Sequence, residues 1–142
     1  MTELFSLAGK TAFVTGGNGG LGLMIALGLK QAGARVIGAG RNPAKNADAA
    51  AQLDACVSLD VTRESSVDEA FASAGPVDIL VNAAGIVVVG TAMEVGKAAF
   101  NSVLEAHVTG SYLCARAAAN GMTGGGKIIN IGSMYSLFGS PV

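Results

Sequence analysis

Charge is scarce in this sequence. Lys, Arg, Asp and Glu make up 13% of the 142 residues, nine basic against ten acidic, for a net charge of −1. That balance offers no electrostatic footprint for nucleic acid or an acidic membrane. Cysteine is scarce too. Cys56 and Cys114 stand far apart and form neither a CxxC nor a metal-ligand pattern. They read as buried thiols of a reducing compartment, and no metal is expected. No apolar run is long enough to span a bilayer. The first ten residues, MTELFSLAGK, lack a basic segment followed by an apolar core, which argues against a secretory signal. The expectation is a soluble cytoplasmic protein without a nucleic-acid or membrane partner.

Apolar residues, by contrast, make up 51% of the chain, and glycine occurs 21 times. Such a chain can bury a core, and residues 1–142 read as one domain with no repeat and no internal linker. Short apolar runs alternate with helical patterns. Strands are predicted at 11–15, 35–40, 55–59, 77–81 and 127–131. Helices are predicted from the glycine-rich turn to Gly33, at 43–52, at 63–74 and over a long stretch at 97–122. Asn42-Pro43 reads as an N-cap with proline at the first helical position. Thr62 is the expected cap of the third helix, and Gly75-Pro76 its stop. A looser segment covers 86–96.

Apolar strands alternating with helices imply an α/β fold, a doubly wound parallel sheet covered on both faces. Right-handed crossovers with one reversal give the order 3-2-1-4-5. The switch point then lies between the first and fourth strands. Two turns flank it, the glycines at 16–22 and NAAG at 82–85. Strand, glycine turn and helix together bring bare backbone N–H groups to a phosphate, and the helix N-terminus adds partial positive charge. Gly17-x-Gly19-x-x-Gly22 fits GxGxxG, a weak match alone in a glycine-rich chain, but a strand precedes it and a helix follows.

A second spacing overlaps the first, Thr15-Gly16-x-x-x-Gly20-x-Gly22. TGGNGGLG at 15–22 resembles the TGxxxGxG cofactor turn of the short-chain dehydrogenase/reductases. Later segments agree in order and spacing. Asp60-Val61 follows the third strand as the family's adenine-contacting acid does. NAAG resembles the family's NNAG, with Ala83 in place of one Asn, and IINIGS at 128–133 resembles the strand carrying its catalytic serine. The resemblance covers the whole chain. It implies a Rossmann-type fold and a dinucleotide held by Thr15, Gly16, Asn18, Gly20, Leu21, Gly22, Arg41, Asp60, Val61, Asn82, Ala83, Ala84, Gly85 and Ile131.

The choice of cofactor turns on the end of the second strand. NAD sites usually place an acid there for the adenosine ribose, about twenty residues past the glycines. Here it reads Ala39-Gly40-Arg41-Asn42, and Arg41 offers a planar donor fork to a 2′-phosphate. NADP is therefore the expected cofactor, with NAD as the alternative and a merely solvated Arg41 still open. A basic residue within the glycine turn, another NADP cue of the family, is missing.

The resemblance also implies the chemistry: a secondary alcohol and a ketone interconverted, on a sugar acid, a polyol or a 3-oxoacyl group. Hydride transfer to a carbonyl leaves an alkoxide that must be protonated. In the family a tyrosine, assisted by a lysine, does this, a serine holds the substrate oxygen, and an asparagine completes a relay. Ser133 matches the serine, although a serine there can also simply cap a turn. His107, in His107-Val108-Thr109-Gly110, stands where the family shows N-x-x-G. It either relays a proton or is a packed helical histidine.

The family's YxxxK is missing from the sequence. Tyr135 is followed at that spacing by Gly139, and Tyr112 by Arg116, which reads as a helical surface pair. Two expectations follow: an N-terminal portion of a longer, homo-oligomeric enzyme, or a short protein that binds a dinucleotide without turnover. In either case the sheet is truncated after the fifth strand. KIINI becomes an open edge, and apolar residues of the long helix such as Val103, Val108, Leu113 and Ala117 are expected to have fewer partners. An interaction protein using that edge is a third reading. Residues 1–142 alone are expected to aggregate.

Overall fold

A computed structural model describes residues 3–139. The expected domain limits at residues 1 and 142 lie outside them. Five parallel strands form one sheet: β1 (Thr11–Thr15), β2 (Arg35–Gly40), β3 (Ala55–Ser58), β4 (Ile79–Asn82) and β5 (Lys127–Asn130). Their order is β3-β2-β1-β4-β5, so the reversal after the third strand is as expected. Helices α1 (Gly20–Gln31) and α2 (Pro43–Ala50) cover one face. Helices α3 (Glu64–Ala74) and α5 (Gly110–Ala119) cover the other.

The central strands β1, β2 and β4 are apolar on both faces because both are buried. Ala12, Val14, Val36 and Val81 pack under α1 and α2 with Ala26 and Ala49. Phe13, Ile37 and Leu80 pack under α3 and α5 with Val67, Leu113 and Cys114. Phe13 stacks on Phe71 of α3 with ring centroids 4.4 Å apart. Cys114 is fully buried and Cys56 half-buried, both as free thiols. Burial pushes the Cys114 thiol up to about 12.

Several boundaries differ from the sequence expectation. β4 starts two residues later, because Asp78 is used as a clasp: its carboxylate accepts from Thr11 N (2.9 Å) and Lys10 Nζ (3.3 Å). Thr62 does not cap α3. Its hydroxyl donates to Asp60 at 2.8 Å, and Arg63 takes the cap position without a side-chain bond. Asn42 does cap α2, accepting from Lys45 N at 3.1 Å, with proline in the first turn.

The largest correction concerns the helix expected over 97–122. It is three segments: α4 (Lys97–Leu104), a π-helical stretch (Glu105–Thr109) and α5. The wide turns carry His107, and such bulges are common at functional sites. Leu113, on the inner face of α5, is buried in the core and Ala117 packs against it, rather than being short of partners, whereas Val108 is 62% exposed. No helix among the described residues is long and apolar enough to cross a membrane.

Candidate dinucleotide cleft and active-site wall

The C-terminal ends of β1 and β4 meet at the switch point, and the turns that follow them are fitted together. Gly16 adopts φ +70°, a conformation that suits glycine. A Cβ there would also crowd the backbone of Ala83 and Ala84 at 3.0 Å, and one on Gly22 would overlap the carbonyl of Gly16. Thr15 ties the turns from beneath. Its buried hydroxyl accepts from Ala83 N (3.1 Å) and Ala84 N (3.0 Å).

A cleft of about 680 Å³ opens above these turns. Gly16, Asn18, Gly19, Leu21 and Gly22 line one side, and Ala83, Ala84, Gly85 and Ile86 another. Arg41, Asn42 and Lys45 stand at one end, with Asp60, Val61 and Thr62 alongside. The volume lies in the ordinary range for small-molecule sites. α1 begins at this cleft with no side chain capping it. A Cβ on Gly20 would meet nothing, and one on Gly19 only the Lys45 side chain at 3.9 Å. An uncapped helix N-terminus beside open space fits the diphosphate of a dinucleotide.

The end of β2 has a distinct construction. Asn46 of α2 is buried, and its Nδ2 donates to Gly40 O (2.9 Å) and Val57 O (3.3 Å). Its Oδ1 accepts from Asn18 Nδ2 at 2.7 Å. The Asn18 carboxamide thereby fills the space that a Cβ on Gly40 would take. Asp60 follows β3, the strand beside β2, and lines the same cleft near Arg41. Burial raises its pKa, but bonds from the Thr62 hydroxyl and backbone, with Arg41 and Arg63 nearby, leave it below the ordinary carboxylate value.

A second cleft of about 630 Å³ runs between β4, β5 and the π-helical segment. His107, Ser111, Tyr112, Asn130 and Ser133 are among its lining residues. Of the expected cofactor residues, Asn82 and Ile131 line only this second cleft, Ala83 and Ala84 line both, and Thr15 and Gly20 line neither. Asn82 Nδ2 donates to Asn130 Oδ1 at 2.9 Å, and its buried Oδ1 has no partner among the described residues. Ser133 Oγ accepts from Tyr135 N at 3.2 Å, so it caps the short helical turn Met134–Ser136. His107 Nε2 lies 2.8 Å from Ile86 O and 3.2 Å from Ile86 N. Tyr112 and Arg116 do form a helical surface pair, the guanidinium 5.6 Å from the ring centroid, and Arg116 also pairs with Glu64.

Lys45, Asn42, Ser102 and Glu105 also line the first cleft, and motif reading did not single them out as ligand residues. Lys45 was legible in principle. A cap at Asn42 puts it on the first turn of α2, beside the glycine turn.

Galactitol 2-dehydrogenase (L-tagatose-forming) of Cereibacter sphaeroides is 38% identical over 140 residues, covering 92% of this chain and 55% of that protein. Gluconate 5-dehydrogenase of Gluconobacter oxydans is 36% identical over 152 residues, covering 98% and 59%. A solved structure of a short-chain type dehydrogenase/reductase from Mycobacterium marinum superposes with a TM-score of 0.90 at 32% identity, over 98% of this chain and 62% of that one. The chain thus spans little more than half the length of the curated relatives it matches. The short chain dehydrogenase family profile matches residues 10–142, and with the glycine turn, the NAAG turn and the sheet order in place, the chain belongs to that family.

Proposed function

We propose that the protein is an NAD(P)-dependent oxidoreductase that interconverts a secondary alcohol and a ketone on a sugar acid or polyol, with NADP preferred. The observation carrying this reading is the cleft at the switch point, which runs from the bare N-terminus of α1 to Arg41 with no carboxylate at the end of β2. The names of the relatives support the substrate class. When bound, the nicotinamide accepts or supplies the hydride. The residues of this chain hold and orient. Gly16 to Gly22 and the start of α1 receive the diphosphate, Asp60 and Val61 the adenosine side, and Arg41 the 2′-phosphate. Gly85 and Ile86 carry the wall toward the second cleft, where Ser133 would hold the substrate oxygen. His107 fixes the Gly85–Ile86 turn through the Ile86 backbone.

YxxxK does not occur in residues 1–142. We therefore expect these residues alone to bind NADPH without reducing a keto sugar acid. The test is fluorescence titration with NADPH and NADH, alongside Arg41→Ala. Losing a charged hydrogen-bond pair should weaken NADPH by about tenfold or more and NADH by less than about twofold. Equal losses would remove the case for NADP, and no binding by folded protein would sink the whole reading.

A further inference from the structure

We infer that Lys45 is a second cation for the 2′-phosphate, and so a specificity-determining residue beside Arg41; this rests on the NADP reading above. Both residues line the same end of the same cleft. Neither has a carboxylate within ion-pair distance among the described residues; Arg35, Arg63, Lys97 and Lys127 are likewise without one, but of these six cations only Arg41 and Lys45 line the cleft. The Lys45 stem runs beside the glycine turn, its Cδ 3.9 Å from where a Cβ on Gly19 would sit. The phosphate-facing turn and the two cations are therefore neighbours.

The backbone holds this arrangement in place. Asn42 Oδ1 accepts from Lys45 N and fixes the first turn of α2, while the Asn42 side chain itself lines the cleft. The Asn18–Asn46 bond closes the other side. It seats a neutral carboxamide over Gly40, where a side chain at the end of β2 would otherwise reach the ribose. No carboxylate can occupy that spot without displacing Asn18. An anion entering there meets Arg41 and Lys45, neither in an ion pair among the described residues, together with amide groups. The Asp60 carboxylate lines the same cleft near Arg41, and the two cations outnumber it, a set suited to a phosphate monoester.

The distinction from Arg41 is one of chemistry. Arg41 offers a planar fork, and Lys45 a compact point charge on a flexible stem. A point charge acts on a dianion mainly by Coulomb attraction, so its contribution should fall with salt.

The test compares Lys45→Ala, Lys45→Arg and Arg41→Ala by titration with NADPH, NADH and adenosine 2′,5′-bisphosphate at two salt concentrations. Position 45 is exposed, and its role in the cap uses only its backbone N–H, so folding should survive, with circular dichroism as the check. The expected result for Lys45→Ala is a loss of about tenfold for NADPH and the bisphosphate, under about twofold for NADH, and a shallower salt dependence. Lys45→Arg should recover most of the affinity. If Lys45→Ala leaves NADPH unchanged, or weakens NADPH and NADH equally, Lys45 is not a 2′-phosphate ligand, even where Arg41→Ala still discriminates. If Arg41→Ala fails to discriminate as well, the NADP reading itself falls, and the assignment of Lys45 with it.

Discussion

At the scale of single residues, His107 repays the closest reading. One nitrogen, Nε2, faces both the carbonyl and the N–H of Ile86, at 2.8 and 3.2 Å. A neutral imidazole nitrogen either donates or accepts, so only one of the two bonds forms at a time. An asparagine carboxamide carries a donor and an acceptor and could serve both. The ring also lies against Gly85, where a Cβ would overlap it. We expect His107→Asn to hold the Gly85–Ile86 turn at least as well as the native residue. His107→Ala should speed amide exchange at Gly85 and Ile86 and weaken NADPH about two- to tenfold, the range of one ordinary hydrogen bond. Unchanged exchange in the alanine variant would show that the contact does not position this turn. His107 was found in the sequence by its register with N-x-x-G. Its actual partner, a backbone two segments away, has no signature in residue type.

At the scale of elements, the β1–turn–α1 unit shows why some features were legible and others not. The strand is an unbroken apolar run, and the turn needs glycine for steric reasons that leave a pattern. Gly22 is the tightest case, because a Cβ would meet the carbonyl of Gly16 rather than a movable side chain. Gly22→Ala should lower stability by about 1–3 kcal/mol, as overpacking against backbone does. It should also abolish nucleotide binding, since the turn must open to admit the methyl. Urea midpoints and NADPH titration check this, and a variant of native stability would refute the close approach. The sheet order and the Asn42 cap were legible for the same reason, as each follows from a local pattern. The π-helical break was not, because 97–122 has continuous helical character; Gly110, which follows the break, lies close against Val61, a contact between segments far apart in the chain. The late start of β4 was hidden likewise. Asp78 leaves the strand only because Thr11 and Lys10 lie beside it in space.

At the scale of the whole molecule, the two sides of the sheet end differently. β3 packs against α2 and keeps Ala55, Cys56 and Val57 partly buried, with only Ser58 exposed, whereas all four residues of β5 are exposed. Ile128 and Ile129 are 41% and 46% open, and beyond them Leu137 and Phe138 are 84% and 63% open. Val108 and Tyr112 add apolar surface nearby across the second cleft. An uncovered strand with β-branched side chains templates pairing with another chain. For residues 1–142 on their own, the expected outcome is concentration-dependent association, seen as rising scattering intensity and loss of monomer on sizing. A lysine at an edge position is the usual protection of such strands, and β5 has Lys127 only at its start. Ile129→Lys should therefore raise the monomer fraction while leaving NADPH binding within about twofold, because Ile129 lines neither cleft. A protein that stays monomeric at high concentration without the substitution would show that the β5 edge is not sticky, and association unaffected by Ile129→Lys would move the contact to another surface.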